Sequence, residues 1–139
     1  MTLSIRNQLP GTVTEVHPGE AMAIVRLRLD GGQHLVAAIT KESADELALA
    51  PGSSVRALVK STEVSVATGR VDGLSIRNQL PGAVTGLTTG AVMATVKISV
   101  DGGVLTAAIT KDAVADLGLF VGSDVVALIK ATEVSLATA

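Results

Sequence analysis

The chain has 139 residues, a formal net charge of −2, no cysteine and a single aromatic residue, Phe120. Without cysteine no disulfide can staple the fold, and the slight acidity with no clustered basic charge argues against a nucleic-acid or membrane-surface protein. No stretch approaches the ~20 apolar residues of a membrane span. The opening Met-Thr-Leu-Ser-Ile-Arg has neither an apolar core nor a cleavage site, so a cytoplasmic address is expected.

In chain order, Leu3–Leu9 alternates apolar and polar residues, the period of a half-buried strand. This pattern turns Leu3, Ile5 and Leu9 toward a core, with Asn7 an exception, and projects Ser4 and Arg6 from the opposite face. Pro10-Gly11 is expected to break the strand with a turn or bulge, and Thr12–Val16 to resume it. The segment Ser4–Gly11, SIRNQLPG, recurs letter for letter at Ser75–Gly82, and the flanking residues align at nearly the same offset. Repetition at a fixed period defines two units. We place them at residues 1–68 and 74–139, with Thr68–Gly73, rich in glycine, forming the 69–73 linker.

His17–Glu20 reads as a turn. Met22–Leu29 is the clearest strand, with Ala23, Val25, Leu27 and Leu29 inside and Arg26 and Arg28 outside. Asp30-Gly31-Gly32 predicts a hairpin turn into Leu35–Ile39. The second unit loses one residue just after its own Asp101-Gly102-Gly103, where length changes are best tolerated. Thr40 is expected to cap a helix over Lys41–Leu47, and Thr110 one over Lys111–Leu117, each stopping near a glycine, Gly52 or Gly122. Val55–Lys60 and Glu63–Ala67 complete the unit as one bent strand or two short ones. Five short strands with one helix inserted after the third predict an all-β fold of two tandem OB-like five-stranded Greek-key barrels, with an SH3-like barrel as the alternative. Units this small are marginal alone, and the apolar content is high for two tiny cores, so an obligate oligomer is expected.

The recurring polar residues share one property: they donate hydrogen bonds. Ser4 with Arg6, Lys60 near the last strand and Thr40 at a helix start all return as Ser75, Arg77, Lys130 and Thr110. Guanidinium and ammonium groups form charge-assisted hydrogen bonds of roughly 1.5–3 kcal/mol. A donor-rich site without a carboxylate suits a fully deprotonated tetrahedral dianion, whereas monohydrogen phosphate leaves its own proton unpaired there. Met22 and Met93 are expected to fill core gaps, His17 and His34 to lie on the surface, and Glu63 and Glu133 to form structural ion pairs.

Ser-Ile-Arg-Asn-Gln-Leu, present twice, resembles the Ser-Ala-Arg-Asn-Gln signature of molybdate-binding Mop (molbindin) domains, which are related to TOBE domains. The tandem arrangement is similar to that of di-Mop proteins. The resemblance implies OB-like barrels, assembly as a homo-oligomer (a trimer of tandem chains), and passive storage of molybdate or tungstate at subunit interfaces, with no organic cofactor. It implies that Ser4 and Arg6 contact the anion and that Ile5, in place of the usual Ala, offers a backbone amide. Lys60 and Ser61 match the family's Lys-Ser contact, and Thr40 and Ser43 match contacts from a neighbouring subunit. In the second unit Ser75, Ile76, Arg77, Thr110 and Lys130 match, but Ala113 and Ala131 replace Ser43 and Ser61. Two other classes stay open at this stage: an OB module that binds nucleic acid, and a regulatory module that senses the anion. The first needs stacking aromatics and a basic groove, and Phe120 stands alone. An enzyme is not expected, since no cysteine nucleophile, repeated histidine or carboxylate pair is in view.

Overall fold

The computed structural model describes residues 2–138. Ten strands and two short helices follow in the order expected from the repeat. The first repeat contains β1 (Asn7–Pro18), β2 (Met22–Leu29), β3 (His34–Thr40), α1 (Lys41–Glu46), β4 (Ser54–Val59) and β5 (Ser65–Ala67). The second contains β6 (Asn78–Thr89), β7 (Met93–Val100), β8 (Gly103–Thr110), α2 (Lys111–Leu117), β9 (Asp124–Ile129) and β10 (Ser135–Thr138). A single 3-10 turn, Ser61–Glu63 or Ala131–Glu133, separates the last two strands of each repeat.

The sheets do not follow the repeats. One runs β10-β4-β1-β2-β3 and the other β5-β9-β6-β7-β8, so each repeat gives its fifth strand to the other. Ser135–Thr138 pairs antiparallel with Val55–Leu58, and Ser65–Ala67 with Val126–Leu128. Each five-stranded sheet curls until the borrowed strand lies beside the third strand, β10 near β3 and β5 near β8. That is the strand neighbourhood of an OB-like barrel, with the helix between the third and fourth strands. The two-fold repeat is thus a division of the sequence, while the sheets interlock across it.

β2 shows the expected alternation: Ala23, Val25, Leu27 and Leu29 are buried and Arg26 and Arg28 exposed. The second hairpin is shorter because Val100 pairs directly with Gly103, whereas Leu29 N–H reaches across to the Gln33 carbonyl. The deleted residue is taken from the turn, as expected. One continuous core runs from Leu9 and Val13 through Leu80 and Val84 to Val134. Joining the two halves thus absorbs part of the apolar surplus that the composition shows.

Four expectations are corrected. The first strand starts at Asn7 rather than Leu3, leaving Leu3 exposed and Ile5 half-buried. Residues before Asn7 have no ladder, because their partner strand ends at Val59, opposite Asn7, and turns away. Pro10-Gly11 lies inside a continuous strand; the bulge falls between Val13 and Glu15. At Gly11 the strand passes from pairing β4 alone to pairing both β4 and β2, and a Cβ there would lie 2.9 Å from the Arg28 carbonyl oxygen. Met22 and Met93 are exposed (45% and 46%) instead of filling the core. Glu63 and Glu133 form no ion pair among the described residues.

Asn7, only 2% exposed, turns inward to reach the other repeat. Its amide nitrogen donates to the Thr106 carbonyl at 2.9 Å and its amide oxygen accepts from Thr106 N–H at 2.7 Å. Asn78 does the same to Val36, at 2.8 and 2.7 Å. Each carboxamide acts as a peptide unit toward the edge of the opposite third strand.

Two outcomes follow for stability. Asn7→Ala or Asn78→Ala leaves a backbone N–H and C=O without partners, and each is expected to lower unfolding free energy by about 1–3 kcal/mol in urea titrations. α2 ends at Gly118 with φ 61°, while the first repeat places Ala48 in that left-handed conformation at φ 50°. Ala48→Gly is therefore expected to raise stability by roughly 0.5–1 kcal/mol, read in the same titration.

Candidate functional site

The anion-binding candidates lie where the strands begin and end. Ser4, Ile5 and Arg6 form an irregular lead-in to β1, and Ser75, Ile76 and Arg77 the same lead-in to β6. Ser4, Arg6, Ser75 and Arg77 are exposed, and Ile5 and Ile76 half-buried. These segments make no ladder, yet the adjoining Asn7 and Asn78 anchor them. Gln8 adds a second tie by donating to the Ile5 carbonyl at 3.2 Å. Gln79 instead holds the linker, pairing with Val71 N–H and C=O at 3.0 and 2.8 Å.

In the second repeat Ser75, Ile76, Arg77 and Lys130 share one open concavity of about 230 Å³ with Ala131 and Thr132. Lys130 is the residue before the 3-10 turn, whose backbone carries Glu133 N–H to the Lys130 carbonyl at 3.0 Å. Ser75, Arg77 and Lys130, all potential donors, thus line one hollow that has no Asp or Glu among its lining residues. Thr132 was not singled out from the sequence, although its recurrence as Thr62 was a usable signal. Lys60 and Ser61 occupy the equivalent turn of the first repeat, with Lys60 exposed and Ser61 half-buried.

The helix-start candidates sit elsewhere. Thr40 Oγ1 accepts from Ser43 N–H at 3.1 Å and donates to Ser43 Oγ at 2.8 Å, which leaves the Ser43 hydroxyl proton free to donate outward. Thr110 caps α2 alike, accepting from Ala113 N–H at 3.1 Å, but Ala113 offers no hydroxyl. Thr40 lines a different concavity, of about 520 Å³, together with Glu20, Glu42, Asp45 and Glu46. Four carboxylates make that hollow unsuited to an anion within one chain. An open groove of about 530 Å³ beside β6 also carries carboxylates, Asp101 and Asp124, and none of the candidate donors.

Arg77 has a second set of neighbours. It shares a concavity of about 220 Å³ with Ala131 and, from the first repeat, Ile24, Arg26 and Val36. The motif of one repeat therefore lies against the outer face of β2 and β3 of the other. Arg26 was read from the sequence as an exposed strand residue only; its place beside Arg77 depends on how the two halves pack.

With this geometry in view, comparison with known proteins is specific. The TOBE domain model matches residues 3–66 and again 74–136. The molybdenum-pterin-binding protein MopB of Rhodobacter capsulatus is 42% identical over 136 residues, covering 96% of this chain and 50% of that protein. The molybdenum transport protein ModE of Herbaspirillum seropedicae is 37% identical over 139 residues, covering 99% of this chain and 52% of that protein. The chain spans about half the length of the curated relatives it matches. A solved structure of the cytoplasmic molybdate-binding protein ModG, with molybdate bound, superposes with a TM-score of 0.96 at 42% identity and covers all of both chains. Two matched repeats and a full-length structural likeness establish that this chain belongs to the TOBE domain family.

Proposed function

We propose that the chain binds molybdate, and tungstate comparably, as a bare tetraoxo dianion, and serves in the cytoplasm as a passive reservoir without catalysis. The observation that carries this reading is the carboxylate-free hollow holding Ser75, Arg77 and Lys130. Its donors suit an anion that brings no proton of its own. The likeness to ModG, described as binding molybdate, narrows the oxyanion to that class. In this reading Ser4, Arg6, Lys60 and Ser61 form the corresponding first-repeat set. The Ile5 and Ile76 backbone amides face the anion, and Thr40 with Ser43, or Thr110, closes each site from a neighbouring subunit. The trimer supplies that neighbour, and the open shape of the second-repeat hollow in a single chain supports the need for one. The exposed Val92, Phe120 and Val121 are further apolar surface for such an assembly to cover.

Calorimetric titration with molybdate, tungstate, sulfate and phosphate tests the reading. Molybdate and tungstate are expected to saturate at similar concentrations and phosphate to bind far more weakly. Sulfate saturating at the same concentration as molybdate removes the selectivity. The double variant Arg6→Ala, Arg77→Ala is expected to lose most binding, roughly ten- to hundredfold for each charge-assisted donor removed. Native mass spectrometry is expected to show its assembly unchanged.

A further inference from the structure

The two repeats anchor their motifs on each other in equivalent frames, and the residues that frame the two arginines differ. Asn78 bonds both backbone groups of Val36, and Val36 is the register partner of Arg26 across β2 and β3. Arg77, one residue earlier, therefore meets Arg26 in a hollow whose other walls are Ile24, Val36 and Ala131. In the reciprocal frame Asn7 bonds both backbone groups of Thr106, the register partner of Lys97 across β7 and β8. By repeat equivalence, Arg6, one residue before Asn7, stands to the outer face that carries Lys97 as Arg77 stands to the face that carries Arg26. Here the repeat equivalents of Ile24, Val36 and Ala131 are Thr95, Thr106 and Ser61. All three apolar positions become hydroxyls.

The charges differ as well. Arg26 Nε lies 3.2 Å from Glu15 Oε2, and the other oxygen of Glu15 lies 2.7 Å from His17 Nε2. The equivalent of Glu15 is Gly86, which pairs in register with Lys97. The aliphatic stem of Lys97 runs past Gly86, its nearest atom 3.5 Å from where a Cβ would stand. Among the described residues Lys97 makes no ion pair, and Glu63, on the turn packed against β8, lies within ion-pair distance of no cation.

We infer that Lys97 is a further anion-binding residue acting with Arg6, and that Glu15 mutes its counterpart Arg26, so that the two motif arginines hold oxyanions with unequal strength. This rests on the oxyanion function proposed above. Two cations facing one hollow repel each other until an anion lies between them, and that repulsion becomes differential affinity for a dianion. On the Arg77 side the same gain is already taken by a carboxylate of the protein itself. The position at Arg6, flanked in the repeat-equivalent frame by hydroxyl residues, is then the stronger, and the half-apolar recess at Arg77 the weaker.

Molybdate titration of the wild type, Lys97→Met and Glu15→Gln at two salt concentrations tests this. Lys97 and Glu15 are exposed, and surface ion pairs add little stability, so both variants are expected to fold. Removing one partly screened charge is expected to weaken the tighter sites roughly three- to tenfold in Lys97→Met and to flatten their salt dependence. Glu15→Gln is expected to strengthen the weaker sites by a similar factor and leave the tighter ones alone. Wild-type binding left unchanged by both variants overturns the inference while the oxyanion function stands. A wild type that binds no dianion overturns both.

Discussion

Two buried carboxamides hold this molecule in its shape. A side-chain amide offers a donor and an acceptor in nearly the geometry of a peptide group, so Asn7 and Asn78 each complete the open edge of a strand from the opposite repeat. Both are shielded from water, and separating the repeats strands four backbone groups as well as the two side chains. The exchanged strands β5 and β10 add a mechanical lock, because neither half closes its barrel without a piece of the other. The shared core that results lets repeats of about 65 residues fold without disulfides, which units of that size often need.

The same anchors place the candidate donors. Ser4–Arg6 and Ser75–Arg77 lie just outside the sheets, where a strand has lost its partner and its polar groups are free to serve a ligand. A residue further in would spend its backbone on the ladder; one further out would lose the anchor. Each motif is anchored to the neighbouring repeat by the asparagine that follows its arginine, and Arg77 lies beside Ile24, Arg26 and Val36 of that repeat. If the motif binds the anion as proposed, anion binding and repeat packing share one stretch of sequence, a physical reason for SIRNQLPG to read identically in both halves while much around it has drifted. Drift elsewhere has made the halves unequal. Ser43 and Ser61 become Ala113 and Ala131, and Glu15 becomes Gly86, so nominally equivalent recesses differ in hydroxyls and in charge.

Much of this was legible from local pattern. The alternation in β2, the Asp-Gly-Gly turns and the threonine caps each arise within a few residues, and the structure places them as the sequence led us to expect. The start of β1 was misread because Leu3-Ser4-Ile5-Arg6 alternates correctly but has nothing to pair with. Alternation records which face a residue would take in a strand, and a ladder needs a partner that reaches it. Asn7 looked like a defect in an apolar row, since the backbone groups that satisfy it lie 99 residues away.

By itself the sequence determined the duplication, the order of strands and helix in each repeat, and the donor-rich composition of the motif, because these depend on neighbours along the chain. The tertiary structure alone decided which sheet receives each fifth strand. Ser65-Val66-Ala67 and Ser135-Leu136-Ala137 are nearly alike in sequence, yet the first pairs with Val126–Leu128 and the second with Arg56–Leu58. The linker between them is tied back by Gln79 through Val71, and each barrel closes on the strand of the other repeat. No local pattern encodes that, because it is a property of how two like halves meet.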